Sequence, residues 1–412
     1  MKPLEGITVI EFAEFVTAPS AARFLSEWGA RVIKVERPDG DRQRKQGQTF
    51  GMRDFTQMPY NHNLDMMCGG LKEYISVDTK TEGGMAIMHK LLSTADVLLT
   101  NMRPKALLKM GLDYDTLKER YPALVYAIGI GYADKGEYSN APGYDAVCYS
   151  SRGGIMAGFP QKGDAPANVP LGFGDMQGGL ALAAGVCAAL MGRTRTGKGD
   201  RVCVSLYHTA LYMNTMGVVA SNPPYHNVYP KSRTDLPNPL NNTYQCKDGK
   251  WFLVCDPVYF PAIQKVLHVL GRDDLVNDPF WTDLGKIQAA GKTKEASDIL
   301  AAGFAAKNRD EWVKIFKESD LPGGPCFDFV DIAHDQLAWE NDFLRTIHYP
   351  DGLDGTVVDL PIRMASVGLG ELAASKRCGA DTMETLRSFG YTQEELDELK
   401  AEGAIYTELR QG

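Results

Sequence analysis

The feature that most constrains the fold is the alternation of strand and helix patterns over the first 130 residues. Residues 6–12 and 31–36 have the apolar pattern of buried parallel strands, and residues 18–29 between them have that of a helix. Further strands are predicted at 72–78, 95–100 and 124–130, again with helices between them. Such alternation predicts an α/β fold with an open, doubly wound sheet that binds ligands beyond the carboxyl ends of its strands.

The first strand-to-helix turn limits which ligand this sheet can bind. Its sequence is EFVTAPSA, which contains no glycine, so the G-x-G-x-x-G pattern of dinucleotide-binding proteins is missing. This argues against an oxidoreductase that uses NAD or FAD.

Composition excludes several other classes of protein. The chain has 412 residues, 44% of them hydrophobic, and a net charge of −8, which argues against a general nucleic-acid or anionic-membrane surface. None of the eight cysteines forms a C-x-x-C pair and no histidine spacing matches a metal site, so we expect cytoplasmic thiols and no metal. The N-terminus lacks a signal-peptide pattern, and no run of about 18 apolar residues predicts a membrane span.

Residues 171–206 (LGFGDMQGGLALAAGVCAALMGRTRTGKGDRVCVSL) hold one carboxylate, Asp175, before an uncharged segment at 176–191. That segment is long enough for a helix and apolar on every side, so we expect it to be buried. Asp175 would then be the helix N-cap, or a catalytic carboxylate that the helix N-terminus keeps ionised, and the two interpretations are compatible. Residues 201–206 alternate like a strand.

The middle of the chain changes character. Five prolines at 221–239 suit a linker, and Asp-Gly within 244–254 predicts a hairpin. Helical patterns follow at 258–270, 292–306 and 309–319, which predicts a smaller α+β region. Near the C-terminus, Thr392 and Glu395 have the spacing of a capping box.

Several segments together resemble the family III CoA-transferases, also called the CaiB/BaiF type. They are, in order, LEGITVIEF, WGARVIKVERPDGD, ADVLLTNMRPKALLKMGLDYDTL, YPALVYAIGIGY, APGYDAV, GFGDMQGG and TGKGDRVCVSL. Within the family the chain is most similar to enzymes of amino-acid fermentation in anaerobic bacteria that act on 2-hydroxy acids, such as phenyllactate and 2-hydroxyisocaproate CoA-transferases.

The resemblance implies an architecture that the residues alone do not give. Family members are homodimers of two interlocked rings, each with a Rossmann-like large domain and a smaller α+β domain. Carried onto this chain, the large CoA-binding domain spans 1–205 and is completed by 345–412. The small domain spans 229–325, between linkers at 206–228 and 326–344.

The resemblance also implies a reaction and a nucleophile. Asp175 matches the family's catalytic aspartate, which attacks an acyl-CoA thioester and passes through a mixed anhydride to an aspartyl-CoA thioester. Asp145 matches an acidic position near the nucleophile that orients it, or is a turn residue. Tyr144 precedes it and is expected to pack near the thioester.

The same resemblance implies the contacts to coenzyme A, the co-substrate. Val16 and Thr17 would approach it through backbone atoms, whereas Asn101 and Met102 would line the adenine region. Five basic residues in the first 110 positions suit the phosphates of CoA, although each one alone is also an ordinary surface charge; they are Arg37, Lys80, Arg103, Lys105 and Lys109. The full predicted set is Val16, Thr17, Arg37, Val77, Lys80, Asn101, Met102, Arg103, Lys109 and Met110, and Lys105 belongs to the same basic group.

Two departures from the family leave questions open. The glycine-rich loop with which formyl-CoA transferases cover the aspartate is missing; PNPLNNTY stands in a similar place, and the irregular loop 42–70 is our candidate for excluding water. α-Methylacyl-CoA racemases share the fold, but Tyr144 replaces their histidine, and tyrosine with a pKa of about 10 is a poor base. The alternatives are therefore a racemase or epimerase of this fold, or a non-catalytic CoA-binding protein.

Overall fold

The computed structural model describes residues 1–50, 53–225, 229–234 and 236–410, and the side chains of all of these except 49 and 50. Positions 51 and 52 of the predicted closing loop, 226–228 of the predicted linker, 235 of the predicted small domain and the last two residues lie outside this set. The chain forms two compact units. The first comprises Met1–Met156, Asn168–Val219 and Trp339–Gly412, and the second Ala157–Ala167 and Ala220–Ala338.

The strands of the described residues, in chain order, are β1 Thr8–Phe12, β2 Arg31–Glu36, β3 Lys72–Val77, β4 Val97–Thr100, β5 Val125–Ile130, β6 Arg201–Ser205, β7 Asn241–Gln245, β8 Trp251–Cys255, β9 Gly323–Cys326, β10 Leu344–His348, β11 Asp354–Val358 and β12 Ile405–Tyr406. In the first unit, β1 to β6 form a parallel sheet in the order 3-2-1-4-5-6, and β12 pairs antiparallel with β3. This confirms the predicted α/β fold with a mostly parallel sheet. The order reverses between β1 and β4, which is where doubly wound sheets bind ligands.

The α-helices of the described residues are α1 Thr17–Glu27, α2 Gln43–Gln46, α3 His62–Cys68, α4 Glu82–Leu92, α5 Pro104–Met110, α6 Tyr114–Arg120, α7 Ile155–Gly158, α8 Phe173–Thr196, α9 Leu206–Met213, α10 Thr215–Ala220, α11 Tyr259–Val269, α12 Leu284–Ala289, α13 Thr293–Phe304, α14 Arg309–Glu318, α15 Phe329–Ala333, α16 Gln336–Glu340, α17 Thr382–Ser388 and α18 Gln393–Ala401. Short 3₁₀ turns occur at Gly47–Phe50 and Glu137–Asn140, and a π-helical turn at Ala146–Ser151. One apolar cluster packs α4 and α6 on one face of the parallel sheet, and another packs α1 and α8 on the opposite face.

Helix α8 differs from its prediction in length and burial. It begins at Phe173, three residues before the predicted start, because Gly172 adopts a left-handed conformation (φ 81°) and provides the N-cap. The predicted N-cap role of Asp175 is therefore wrong: it lies in the first turn. The helix is also not buried on every side, since Ala184, Ala188 and Met191 are exposed.

The physical reason is that the elements packed against α8, namely α1, β5, β6, α9 and the π-helical turn, leave part of its surface uncovered. Among the described residues it is the one helix whose length and hydropathy would suffice to cross a membrane, with 44% of its most apolar window buried. Its packing on the sheet is that of a core helix.

A network of buried charges lies under the first strand-to-helix turn. The Lys34 ammonium pairs with Glu11 at 2.7 Å and with Asp41 at 2.8 Å, and Lys72 pairs with Glu11 at 2.8 Å. These side chains are at most 1% exposed. Asp41 also accepts a hydrogen bond from the backbone N–H of Phe15 at 3.0 Å, so the network holds the turn that follows β1.

The second unit contains the predicted hairpin. Strands β7 and β8 are antiparallel and join through the Asp248–Gly249 turn, in which Gly249 has a positive φ of 78°. Strand β9 extends this sheet by pairing antiparallel with β8. Helices α11, α13 and α14 cover it with an apolar cluster that includes Phe304 and Trp312.

Other local predictions are confirmed or corrected. The capping box of Thr392 and Glu395 is present at the start of α18. Both predicted linkers contain short helices: α9 and α10, separated at Asn214, lie in 206–228, and α15 and α16 lie in 326–344. The antiparallel pair β10 and β11 was not predicted, because strand pairing is not visible in a local pattern.

Candidate active site

Asp175 lies where α1 and α8 cross closely. Two glycines of α8, Gly178 and Gly179, allow this approach, since a Cβ at Gly179 would lie 2.0 Å from the Ser20 hydroxyl oxygen. The crossing brings Thr17, the first residue of α1, to Asp175. Its hydroxyl donates a hydrogen bond to Asp175 Oδ1, whereas Oδ2 accepts none from the described residues.

The environment of Asp175 makes its carboxyl less acidic than usual. Burial, with a smaller contribution from the nearby Asp145 charge, raises the pKa of Asp175 to about 6, and the Thr17 hydrogen bond opposes the rise. At neutral pH the group is therefore mostly ionised but more basic than an exposed aspartate. That is a suitable state for a carboxylate nucleophile.

Asp145 caps α8 from outside the helix. Its Oδ1 accepts hydrogen bonds from the Gly174 backbone N–H at 3.1 Å and from the Ser150 hydroxyl at 3.5 Å. Its Oδ2 is buried and has no partner among the described residues. Burial raises the pKa of Asp145, opposed by backbone N–H groups at the start of α8. Asp145 thus acts on Asp175 through its charge and through the helix start.

Phe15, which the sequence analysis did not predict as a site residue, lies beside Tyr144 next to Asp175. It is one of the few non-glycine residues with a left-handed backbone in the described chain (φ 61°), a conformation that costs free energy and clusters at functional sites. Its ring contacts the Tyr144 ring edge-on, with centroids 5.4 Å apart. No sequence signal marks such a residue, because only glycine or asparagine would suggest this backbone.

Two cavities meet at this ring pair, and both are lined by Phe15, Tyr144, Asp145 and Asp175. The first, of about 460 Å³, lies beyond the carboxyl ends of β1, β2, β4 and β5. It gathers the predicted residues Thr17, Arg37, Asn101, Met102, Arg103, Tyr144, Asp145 and Asp175.

Two charged residues that were not predicted as site residues, Glu14 and Arg42, also line the first cavity. Glu14 pairs with the Arg37 guanidinium at 2.8 Å, and its backbone exchanges hydrogen bonds with the Asn101 amide at 2.6 and 3.0 Å. Arg42 lies 3.6 Å from the same carboxylate. The three arginines Arg37, Arg42 and Arg103 give this cavity the donors that bind phosphate groups.

The second cavity, of about 480 Å³, is lined mainly by apolar and neutral polar groups. Val16 lies here. Gln43 and Gly47 come from the start of the predicted closing loop, and Met66 and Met67 from α3.

Five predicted residues line neither cavity, and one of them is Lys105, which is exposed in the first turn of α5. Val77 is only 1% exposed and packs in the core below the sheet. Lys80 lies exposed in the turn after β3, and Lys109 and Met110 lie in the last turn of α5. In the part of the chain that the structure describes, no three His, Cys, Asp or Glu side chains are placed to hold a metal ion.

Known proteins are similar to this chain in both sequence and fold. The profile described as CoA-transferase family III matches residues 4–382. Cinnamoyl-CoA:phenyllactate CoA-transferase of Clostridium sporogenes is 38% identical over 97% of this chain and 96% of its own length. (R)-2-hydroxy-4-methylpentanoate CoA-transferase of Clostridioides difficile is 37% identical over 96% and 98%.

A solved CAIB/BAIF family protein from Brucella suis superposes with a TM-score of 0.78 at 25% identity, covering 94% of this chain and 99% of that one. The whole-length match in sequence and the superposed fold agree. The chain belongs to CoA-transferase family III.

Proposed function

We propose that this CoA-transferase moves CoA from an acyl-CoA donor to a free 2-hydroxy acid through a covalent intermediate on Asp175. The observation that carries the proposal is the state of Asp175. It is a carboxylate with a pKa of about 6, with Oδ1 hydrogen-bonded to Thr17 at the junction of two cavities. The two similar relatives named for hydroxy acids support the substrate class.

The first half-reaction loads CoA onto the enzyme. An Asp175 oxygen attacks the thioester carbonyl, the C–S bond breaks, and CoA leaves as a thiolate, which gives a mixed anhydride. The thiolate then attacks the Asp175 side-chain carbonyl and expels the donor's carboxylate, which leaves an aspartyl-CoA thioester. In this proposal the Thr17 hydroxyl and the N-terminus of α8 stabilise the negative charge that develops on the aspartyl oxygen.

The second half-reaction reverses this order with the new acid. The acceptor's carboxylate attacks the aspartyl thioester carbonyl and releases CoA thiolate. The thiolate attacks the acceptor's carbonyl in the new anhydride, which forms the product thioester and restores the Asp175 carboxylate. The donor and product thioesters are near in energy, so the overall exchange requires no ATP.

The first cavity is our proposed site for coenzyme A. Its arginines would bind the phosphates, and Asn101 and Met102 would lie along the adenine. Val16 and Thr17 would contact the thioester end, with Tyr144 beside it and Asp145 as a positioning residue. Val77, Lys80, Lys109 and Met110 stay predictions, since they lie outside the cavity.

We also propose a cytoplasmic homodimer with the domain limits given from the resemblance. Exposed apolar residues of the first unit, such as Met191, Tyr212 and Met216, support association of two copies.

Mass spectrometry tests the mechanism. Wild type is incubated with a panel of acyl-CoAs and trapped with hydroxylamine or borohydride, alongside Asp175→Ala and the control Asp164→Ala, whose side chain is exposed. We expect modification on the peptide that contains Asp175 in wild type and in the control, and none in Asp175→Ala. CoA binding without any adduct, or proton exchange next to the thioester carbonyl without transfer, would instead favour the non-catalytic or the racemase alternative.

A further inference from the structure

The second cavity is open at Asp175 but has a different character from the first. The Phe15 and Tyr144 rings lie in both linings, so they mark the boundary between the two. An acyl group bonded to an Asp175 oxygen sits at that boundary. If CoA occupies the arginine-rich side, the second cavity is the space that remains for the rest of the acid.

Four large apolar side chains from three segments of the chain line the second cavity, together with the neutral polar Gln43, Gln46 and Asn63. Met66 and Met67 come from α3, whereas Val147 comes from the π-helical turn and Leu171 from the segment before α8. Met67 is fitted closely: a Cβ at Gly172 would lie 2.2 Å from the Met67 methyl carbon. Methionine side chains adapt to branched or aromatic partners, because they are unbranched and polarisable.

The charged side chains that line the second cavity are all acidic. Asp145 and Asp175 line it, and no Lys or Arg does so among the residues that the structure describes. The first cavity has three arginines by contrast. A substrate with a second carboxylate in this cavity would have no cation to pair with and would be repelled by Asp145.

We infer that the second cavity receives the side chain of the exchanged acid, that this side chain is uncharged and apolar, and that Met66 and Met67 limit its size. The inference rests on the proposed function, because it takes Asp175 as the attachment point. It assigns the substrate class as apolar monocarboxylic hydroxy acids and excludes dicarboxylic acids of equal length.

Two acceptors of similar size test the charge requirement. With 4-methylpentanoyl-CoA as donor, kcat/KM is measured for 2-hydroxy-4-methylpentanoate and for 2-hydroxyglutarate. We expect the first to be preferred by at least about a hundredfold. Values within tenfold of each other would overturn the inference.

Variants of the two methionines test the walls. Met66→Lys adds the missing cation and should reduce the preference at least about tenfold, whereas Met85→Lys, a partly buried methionine of α4 that lines neither cavity, should leave it unchanged. Met67→Ala should increase kcat/KM for 2-hydroxy-3-phenylpropanoate relative to 2-hydroxy-4-methylpentanoate. A Met66→Lys protein with unchanged preference, or a Met67→Ala protein with an unchanged ratio, would refute the assignment.

The results of the labelling and acceptor assays distinguish a failure of this inference from a failure of the proposed function. If Asp175 is labelled and CoA is transferred, but the dicarboxylate is used equally well, only the pocket assignment fails. If no acceptor receives CoA and Asp175 is never labelled, the proposed function fails and the pocket assignment fails with it.

Discussion

The rate of Asp175 modification should depend on pH in a way that the structure specifies. With a pKa of about 6, the ionised fraction of Asp175 rises from about 0.1 at pH 5 to about 0.9 at pH 7. The single-turnover rate of adduct formation should therefore rise about tenfold over this range. An aspartate with an ordinary pKa of about 3.9 would already be ionised at pH 5, and its rate would be flat.

Two substitutions should move this midpoint in opposite directions. Thr17→Val keeps the shape of the side chain but removes the hydroxyl that lowers the Asp175 pKa. A hydrogen bond to a charged group contributes about 1.5–3 kcal/mol, and about 1.4 kcal/mol moves a pKa by one. Because Asp175 is partly exposed, we take the lower end, which places the midpoint near pH 7. At pH 6 the variant should react about fivefold more slowly for this reason alone.

Asp145→Asn should move the midpoint to lower pH. It removes the charge that helps to raise the Asp175 pKa, and its amide oxygen can still accept the Gly174 N–H. Rapid quenching followed by mass spectrometry of the Asp175 peptide gives the rate at each pH. The midpoint is the readout, so a change in the plateau rate does not affect the test. A wild-type rate that is flat from pH 5 to 7, or midpoints that move in the same direction, would refute the electrostatic reasoning.

Two further predictions concern the scaffold of the site. Gly179→Ala should lower the free energy of unfolding by about 1–3 kcal/mol and slow turnover, because the new methyl group collides where α1 crosses α8. The control Gly192→Ala lies in the same helix with no atom within 4 Å of the new methyl group, and it should stabilise the protein by about 0.5–1 kcal/mol. Equal shifts of the melting temperature in the two variants would contradict this prediction. Tyr349→Phe removes a 2.8 Å hydrogen bond to Asp65, the buried α3 carboxylate whose pKa burial raises to about 6. Because a raised pKa makes ionisation destabilising as pH increases, the loss, about 1–3 kcal/mol, should be larger in denaturant melts at pH 8 than at pH 4, where the carboxyl is protonated in the folded protein and about half protonated in the unfolded chain.

The central sheet was predictable because each βα unit is a local pattern. Strands β1 to β6 follow runs of apolar residues with helical patterns between them, and their order then follows from general rules of parallel sheets. Asp175 could be chosen because a glycine-rich context and a family resemblance both point to it. The capping box of α18 was predictable for the same local reason.

The features that were not predictable depend on contacts between distant residues. Thr17 was expected to meet CoA through its backbone, yet its side chain meets Asp175, 158 positions away along the chain. The start of α8 was misplaced because its cap is Gly172 and its external partner is Asp145, neither of which the apolar pattern of 176–191 reveals. The exposed side of α8 was missed because composition alone does not tell which face a chain leaves uncovered.

The buried charges beneath the Phe15 turn have a consequence for engineering this enzyme. Lys34, Glu11, Asp41 and Lys72 neutralise one another out of reach of water, so replacing any single one strands an opposite charge, at a cost of about 3–5 kcal/mol. Replacing all of them together by apolar residues would remove the stranded charges, but it would leave the Phe15 and Gln43 backbone N–H groups without their Asp41 acceptor. The four positions are therefore epistatic, because the cost of changing one depends on which of the others are still charged, and through Asp41 they are also tied to Phe15 in the walls of both cavities.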